Sequence, residues 1–225
     1  MKILCISDQI DPLVYTNSIR ERFKDIDIVL SAGDLPLDYL EFVVTSLNIP
    51  LLFVFGNHHA DELPFFMRTG ELSLSPSIWN YGQNSVSTIG CIHVGSKVRT
   101  EEGLIIAGLG GSMRYNQGAN QYTDAQMNRE IIKLIPRLLL NRLFHGRYLD
   151  ILLTHAPPLG IHDKPDLCHK GFKAFLWFMR VFKPRYLIHG HIHLYDLSEL
   201  RVSRYQETTV INAYSHYVID TKEGI

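Results

Sequence analysis

The chain has 225 residues, of which 46% are hydrophobic and 20% are charged, and its formal net charge is −1. This composition is typical of a folded globular protein and excludes a disordered, collagen-like or coiled-coil chain. The length suits one large domain, so we expect a single domain over residues 1–225. The near-neutral charge argues against a protein that coats nucleic acid.

Five short apolar segments share one pattern, in which each runs directly into polar residues. They cover residues 2–6, 26–30, 51–55, 149–153 and 186–188. Short, continuous apolar runs of this kind predict strands that are buried on both faces.

Helical patterns lie between several of these strands. Apolar residues at helical spacing predict helices over residues 16–23, 38–47 and 172–182. A longer helix is predicted over residues 124–144, and Pro136 is expected to break or kink it. The aromatic side chains of the 172–182 helix are expected to pack in the core. The alternation of strands and helices predicts an α/β protein.

Two further pairs of strands are expected in the middle and at the end of the chain. Residues 86–94 and 103–108 are predicted to pair antiparallel across a polar turn at 95–102. Residues 210–211 and 217–219 are predicted to pair around residues 212–216. Together the elements predict two mixed sheets with helices outside.

Polar side chains follow five of the predicted strands. They are Asp8, Asp34, Asn57, His155 and the pair His191 and His193. Ligands of α/β sheets bind outside the carboxyl ends of strands, so these side chains should converge if their strands are neighbours. Two carboxylates, an amide oxygen and three imidazoles suit Mn²⁺, Fe or Zn²⁺. Each residue alone also fits a turn or a helix cap, whereas the combination favours a metal site.

These segments resemble the calcineurin-like metallophosphoesterases. The family pattern is Asp-x-His, Gly-Asp, Gly-Asn-His-Asp/Glu, a lone His and Gly-His-x-His, each after a strand. In the same order, the chain has Asp8-Gln9-Ile10, Gly33-Asp34, Gly56-Asn57-His58-His59, His155 and Gly190-His191-Ile192-His193. The resemblance implies a four-layered α-β-β-α sandwich of two mixed sheets flanked by helices. It also implies two bound divalent metal ions, Mn, Fe or Zn.

The resemblance further implies a role for each matching residue. Asp34 would bridge both ions, Asp8 and His193 would complete the first site, and Asn57, His155 and His191 would complete the second. His58 would not bind metal but would face the leaving-group oxygen and protonate it as a general acid. Two ions would activate a water and hold the phosphoryl oxygens. The implied reaction is hydrolysis of a phosphomonoester or a phosphodiester.

Two positions depart from the family pattern. Ile10 stands where the family usually has a metal-binding histidine, so we expect a first site that is weak, empty or selective for a different metal. His59 replaces the acidic residue that follows His58. Asp38 and Asp61 are the candidates to take over the role of that acidic residue.

Two loops outside the motifs hold further candidates. Arg114 follows the Gly-rich segment 108–111 and is a candidate substrate-binding residue, since a guanidinium can grip a phosphate oxygen. Residues 116–122 are a candidate lid. His162, Asp163, Asp166 and His169 are interpreted as surface charges, with lining of the pocket as the alternative. His93 and His145 are interpreted as structural.

Two functions compete on these observations. The first is a metal-dependent hydrolase of phosphate esters. The second is a non-catalytic, phosphoesterase-like scaffold for protein–protein contact with a degraded first metal site, which Ile10 favours. The presence of His58 favours the enzyme, because a scaffold needs no leaving-group acid.

The expected partner is a small phosphate-ester substrate, and the oligomeric state is not predicted. Nucleic acid is disfavoured because the sequence shows no obvious basic cluster. The free cysteines Cys5, Cys91 and Cys168 form no CxxC pair and are expected to be reduced. No secretory signal precedes the first strand, and no apolar run reaches the roughly 18 residues of a membrane span. A cytoplasmic protein without a membrane partner is therefore expected.

Overall fold

A computed structural model describes residues 1–58, 90–196 and 199–222. The strands in chain order are β1 (Lys2–Ser7), β2 (Ile28–Ser31), β3 (Leu51–Phe53), β4 (Cys91–His93), β5 (Lys97–Glu101), β6 (Leu104–Leu109), β7 (Ser112–Met113), β8 (Gln121–Tyr122), β9 (Ile151–Thr154), β10 (Tyr186–His189), β11 (Val202–Tyr205), β12 (Thr208–Asn212) and β13 (Ser215–Asp220). The helices are α1 (Ile19–Arg22), α2 (Leu37–Leu47), α3 (Asp124–His145) and α4 (Lys173–Phe182).

Two large mixed sheets form the centre of the fold. The first has the order β13-β1-β2-β3-β4, and the second has the order β11-β12-β10-β9-β6-β5. Among the described strands of the first sheet, β13 alone is antiparallel to its neighbour. In the second, β11 and β5 are antiparallel edge strands on a parallel centre. The parallel strands of both sheets therefore end together at one edge, where polar residues follow them.

Alternating side chains of the parallel strands build three hydrophobic cores. In β1, Ile3 faces the second sheet, whereas Leu4 faces the side of α1 and α2. In β9, Leu153 faces the first sheet, whereas Leu152 faces α3 and α4. Each fully buried aliphatic side chain stabilises the fold by roughly 1.5–3 kcal/mol. The layers are helices, sheet, sheet and helices, which confirms the predicted α-β-β-α sandwich.

The predicted pairing of residues 86–94 with 103–108 is wrong. β4 lies parallel to β3 in the first sheet, with Ile92 opposite Leu52, and residues 86–89 lie outside the described residues. The antiparallel partner of β6 is β5, which occupies the segment expected to be a turn. Glu102 and Gly103, both at positive φ (48° and 76°), form the two-residue turn of this hairpin. Such turns suit the twist of antiparallel strands.

The predicted pair at the end of the chain is also wrong. β12 lies parallel to β10 in the second sheet, with Val210 opposite Leu187. β13 crosses to the first sheet and pairs with β1, with Val218 opposite Leu4. An apolar run shows that a strand is buried but does not show which sheet buries it.

Pro136 was expected to break or kink helix α3, and the helix continues through it, so the break does not occur. Thr123 begins it with a capping box, in which Thr123 Oγ1 accepts a hydrogen bond from the Gln126 N–H (3.3 Å) and Gln126 Oε1 accepts one from the Thr123 N–H (2.8 Å). Its buried face includes Ile131 before the proline and Leu138 after it. Packing on both sides of Pro136 outweighs the loss of one backbone hydrogen bond. No helix in the described ranges is both long enough and apolar enough to cross a bilayer.

Candidate metal centre

The candidate centre lies where the two sheets meet at the carboxyl ends of their strands. Asp8 directly follows β1 and His155 directly follows β9. The His191 N–H donates to both carboxylate oxygens of Asp8, at 2.9 and 3.0 Å, and so joins the second sheet to the first. The Asp8 N–H donates to the Gly33 carbonyl (3.1 Å), which links the ends of β1 and β2.

Three ligand atoms from Asp34, His155 and His191 lie within 4.8 Å of one another. His155 Nε2 is 3.2 Å from Asp34 Oδ2 and 3.0 Å from Asn57 Oδ1. Asn57 is itself oriented, since its Nδ2 donates to the Tyr115 hydroxyl (3.2 Å). The structure therefore brings together the second-site residues Asn57, His155 and His191 with Asp34.

The hydrogen bonds of the two histidines indicate which nitrogen of each ring is available to a cation. His155 Nδ1 is 2.8 Å from the Ala32 carbonyl, and His191 Nε2 is 2.8 Å from the Cys168 carbonyl. A ring nitrogen that donates to a carbonyl leaves the other nitrogen with a lone pair in the neutral ring. The lone pairs of His155 Nε2 and His191 Nδ1 can then bind a cation, and carboxylate, amide and imidazole donors suit a divalent metal.

The electrostatics of the buried cluster are strongly perturbed. Burial opposes the charged form of His155, but Asp34, with Asp8 and the Ala32 carbonyl, outweighs it and raises the pKa of His155 to about 9. Burial and the neighbouring His155 lower the pKa of His191 to about 3. Burial also raises the pKa of Asp8. A divalent cation would stabilise the same carboxylates and compete with the proton on His155.

Two glycines let the backbone pass close to the His155 imidazole. A Cβ atom on Gly33 would lie 2.8 Å from His155 Nδ1, and one on Gly56 would lie 2.7 Å from His155 Cε1. Gly33 also has a φ of 101°. Glycine is therefore required beside both Asp34 and Asn57, because any side chain there would displace the imidazole.

The predicted first-site residues are less closely assembled. Asp8 is almost fully buried, and His193 Nε2 lies 3.9 Å from Asp8 Oδ1. The His193 ring packs against Tyr214, with ring centroids 4.9 Å apart, and its Nδ1 is 3.0 Å from the Tyr195 hydroxyl. Ile10, at the position of the missing histidine, is 41% exposed.

His58 and Arg114 lie in different surroundings. The His58 N–H donates to Asp34 Oδ1 (3.1 Å), and its exposed ring places Nε2 3.9 Å from Asp34 Oδ2. Arg114 is also exposed, and its Nη2 contacts the Gln121 carbonyl at 3.4 Å. It is the neighbouring Tyr115 that contacts the candidate ligand Asn57. His59 and Asp61 lie outside the described residues.

The candidate lid is tied down by hydrogen bonds. Asn120 Nδ2 donates to the carbonyls of Phe55 (3.0 Å) and Gly56 (2.7 Å). Gln121 Oε1 accepts from the N–H groups of Tyr115 and Asn116, both at 3.2 Å. These contacts hold the loop against the end of β3 and favour a fixed wall over a lid.

The loop after Pro158 approaches the site more closely than the surface interpretation implied. The rings of His169 and His191 have centroids 5.5 Å apart, and His169 Nδ1 is 2.8 Å from Asp166 Oδ1. His162 Nδ1 is 2.9 Å from Nε2 of the buried His189. The lining alternative is therefore favoured for His169, whereas His162 contacts His189 and Ser203 behind the site. The sequence signal was the presence of two histidines, His162 and His169, in the loop that follows β9 and His155.

Burial keeps the rings of His162 and His189 neutral. It lowers the pKa of His162 to about 4 and, with the neighbouring His162, lowers the pKa of His189 to about 3. His189 Nδ1 is 2.9 Å from the Gly190 carbonyl, and His162 Nε2 is 2.8 Å from Ser203 Oγ. Two neutral rings thus form a hydrogen-bonded chain that positions the loop beside His191.

Comparisons with known proteins agree with this architecture. The family model described as calcineurin-like phosphoesterase matches residues 1–195. One solved structure is 14% identical, with a TM-score of 0.65 over 100% of this chain and 96% of its own. The protein TT1561 of Thermus thermophilus is 14% identical, with a TM-score of 0.59 over 95% of this chain and 89% of its own. None of the curated proteins matches significantly.

Proposed function

Because the chain belongs to the calcineurin-like phosphoesterase family, we propose that it hydrolyses small phosphate esters with a metal-activated water and a histidine general acid. The proposal covers phosphomonoesters and phosphodiesters and places Mn, Fe or Zn in the site. One observation carries it: ligand atoms of Asp34, His155 and His191 lie within 4.8 Å of one another.

The proposed ligands divide between two ions. Asp34 would bridge them, Asn57, His155 and His191 would complete the second site, and Asp8 and His193 the first. Bound divalent ions would supply a hydroxide nucleophile and neutralise the phosphoryl oxygens. The residues around them fix the geometry in advance: Ala32 and Cys168 orient the two imidazoles through their carbonyls, and Tyr115 orients Asn57.

His58 is the proposed proton donor to the leaving group. Its backbone is held by Asp34, while its ring is exposed and can reach a substrate. Protonation of the leaving oxygen avoids the release of a poor alkoxide leaving group. Arg114 is the proposed second contact, since its long and weak hydrogen bond to Gln121 is easily exchanged for one to a phosphate oxygen.

A non-catalytic scaffold is the alternative, and Ile10 is the observation that favours it. Isoleucine cannot bind a metal ion, so the first site has one ligand fewer than in the family pattern. The remaining residues His193 and Asp8 are only loosely associated. The two functions differ in one measurable property, the turnover of a phosphate ester.

We expect the Mn²⁺-loaded protein to hydrolyse a nitrophenyl phosphomonoester, a bis-nitrophenyl phosphodiester or both, and chelator to abolish the turnover. The His58→Ala variant should lose about 10²–10⁴-fold in kcat, the usual contribution of a general acid. Its bound metal, measured by elemental analysis, should be unchanged. The His191→Ala variant should lose metal and turnover together.

His145→Ala is the matched control, because His145 is exposed at the end of α3, away from the strand ends. It should keep both metal and rate. Wild-type protein that binds metal but turns over neither ester with Mn²⁺, Fe²⁺ or Zn²⁺ would favour the scaffold. Full activity in His58→Ala would remove His58 from the mechanism.

A further inference from the structure

The outer side of helices α3 and α4 exposes large apolar side chains. Half of the large apolar side chains exposed by the described part of the chain lie on these two helices, although they carry no part of the metal centre. Leu143 and Phe144 are 75% and 73% exposed, so the last turn of α3 projects two bulky apolar groups into solvent. Large apolar side chains exposed together on one side of a protein often mark an interaction site.

The exposed side chains are arranged in stripes. On α3, Ile132, Leu139 and Leu143 recur at intervals of seven and four residues and so share one side of the helix. On α4, the exposed residues Trp177 and Val181 are four apart. An open groove of about 660 Å³ runs between the helices, and Ile132 and Trp177 both line it. The stripes and the groove form one surface, here termed the α3–α4 face.

Basic side chains border this apolar surface. On α3, Arg129, Lys133 and Arg137 recur every four residues beside the apolar stripe, and Lys173 and Arg180 line the groove. The two helices carry six Lys and Arg against two Asp and Glu, a formal charge of +4 within a chain whose total is −1. The two helices therefore carry a local basic cluster, although the net charge of the whole chain is close to zero.

The two acidic residues of these helices are engaged within the protein. Glu130 pairs with Lys133 at 2.6 Å, and its other carboxylate oxygen accepts from Ser96 Oγ at 2.6 Å. Asp124 Oδ1 accepts from the Ala174 N–H at 3.2 Å. The surplus of positive charge on the α3–α4 face is left to interact with an external partner.

We propose that the α3–α4 face docks on the surface of an anionic lipid bilayer. Apolar side chains such as Leu143, Phe144 and Trp177 enter the headgroup region, and the bordering Lys and Arg side chains attract anionic headgroups. This interfacial contact needs no spanning helix. It revises the expectation of no membrane partner, which rested on the lack of a spanning segment.

Other occupants fit the face less well. A second copy of the chain, docked face to face, would bring two +4 surfaces together, and like charges across an interface oppose association. Nucleic acid would neutralise the cations but leave the apolar stripe without a partner. An anionic bilayer provides both an apolar interior and negative charge.

Vesicle binding by the full-length protein tests the proposal. We expect sedimentation with phosphatidylcholine vesicles that contain about 30% phosphatidylglycerol at about 0.1 M salt, and much weaker binding without the anionic lipid. The chain has two tryptophans, so a Trp79→Phe background reports on Trp177 alone. Its emission should shift to the blue on addition of anionic vesicles.

Two kinds of substitution separate the apolar and the electrostatic contributions. The double variant Leu143→Glu, Phe144→Glu should bind at least about tenfold more weakly, because two inserted side chains are lost. Arg129→Gln and Arg137→Gln should each weaken binding roughly fivefold. Val218→Glu, at an exposed apolar position on β13, is the matched control and should bind as the wild type does. Phosphoesterase activity and melting temperature should be unchanged in the double variant.

Three results would overturn the proposal. The first is no sedimentation with anionic vesicles, and the second is equal binding by the wild type and the double variant. The third is a wild-type dimer that the double variant converts to monomer without any vesicle binding, which would assign the face to self-association.

Discussion

Three of the proposed ligands hold a backbone conformation that few side chains adopt. Asp8, Asp34 and His191 have φ values of 63°, 55° and 68°. A left-handed conformation at a non-glycine residue costs of order 1–3 kcal/mol. Strain of this kind persists where the surrounding structure imposes it, and here each strained residue turns the chain sharply after a strand. The side chain of each residue therefore points back to the edge where the two sheets meet.

The substitution Ile10→His tests whether the missing ligand limits the first metal site. Ile10 is exposed and packs little, so a histidine fits there without disturbing the core. We expect bound Mn²⁺ to rise towards two ions per chain and the affinity of the weaker site to increase by on the order of 10–100-fold, as for other changes in metal ligation. Calorimetric titration with Mn²⁺ measures both.

Ile10→Gln is the control, because it adds a polar side chain without an imidazole. It should leave stoichiometry near the wild-type value. If Ile10→His also leaves metal binding unchanged, position 10 does not face the first site, and the assignment of Asp8 and His193 to a metal fails with it.

Residue-level prediction from sequence named the candidate ligands at strand ends but not the residues around them. Asp34 and His155 were accessible because each lies shortly after an apolar run. Tyr115 was not, and His169 was named only as an alternative, because a loop residue is placed by tertiary contacts that sequence does not encode locally. Arg114 was chosen for its charge, whereas the structure brings its neighbour Tyr115 to Asn57.

At the scale of elements, Asp11 fastens the loop after β1 to β13. Its carboxylate accepts hydrogen bonds from the Leu13 N–H (2.7 Å), Ser215 Oγ (2.5 Å) and His216 Nδ1 (2.5 Å). Burial alone would raise the pKa of Asp11, but these hydrogen bonds outweigh it and hold the pKa below its ordinary value. The ionised form of Asp11 is therefore stabilised by folding.

We expect Asp11→Asn to lower the free energy of unfolding by about 1–3 kcal/mol at pH 7, the loss of hydrogen bonds to a charged group. A lowered folded-state pKa contributes stability that is present above the unfolded pKa of about 3.9 and is lost as the pH falls through the folded pKa. The difference in the free energy of unfolding between the wild type and Asp11→Asn should therefore decrease below pH 4. Urea unfolding from pH 7 down to pH 2 measures it.

Asp25→Asn, which alters an exposed carboxylate 3.6 Å from Lys2, should match the wild type throughout. A deficit in Asp11→Asn that stays constant with pH would show that the loss comes from packing and not from the carboxylate charge.

Helix α3 offers a second test. Pro136 destabilises the helix that contains it, and a substitution can remove this destabilisation. Proline is about 3 kcal/mol less favourable than alanine inside a helix, and part of this is offset in the unfolded chain. Pro136→Ala should raise the free energy of unfolding by about 1–3 kcal/mol. Arg137→Ala, at the next exposed position, should change it by less than about 0.5 kcal/mol. Equal urea midpoints for all three proteins would mean that α3 is already kinked in solution.

Strand pairing was the part of the fold that sequence could not supply. The local pattern located β4 and β13, but both pair with strands distant in sequence, β3 and β1. Short apolar strands with similar side chains satisfy either sheet equally well. Which sheet edge such a strand joins is determined only by the packing of all the sheets and helices together.

For the whole molecule, the central feature is that one site draws on both sheets. Asp34 follows β2 of the first sheet, whereas His155 and His191 follow β9 and β10 of the second. Between the sheets lies a hydrophobic core that includes Ile3, Leu30 and Ile188. The sheets are therefore held in register by packing, and the candidate ligands at their shared edge are brought together only when that packing is complete.

Metal binding should consequently stabilise the whole fold. An ion held by residues from both sheets binds the folded chain and not the unfolded one, and at a free concentration of 100 Kd it adds about 2.7 kcal/mol. For a chain of this size that corresponds to a rise in Tm of about 5–10 °C. Differential scanning calorimetry in Mn²⁺ and in chelator measures it. His191→Ala should show no rise, and an equal Tm for the wild type in both conditions would contradict a metal centre shared by the two sheets.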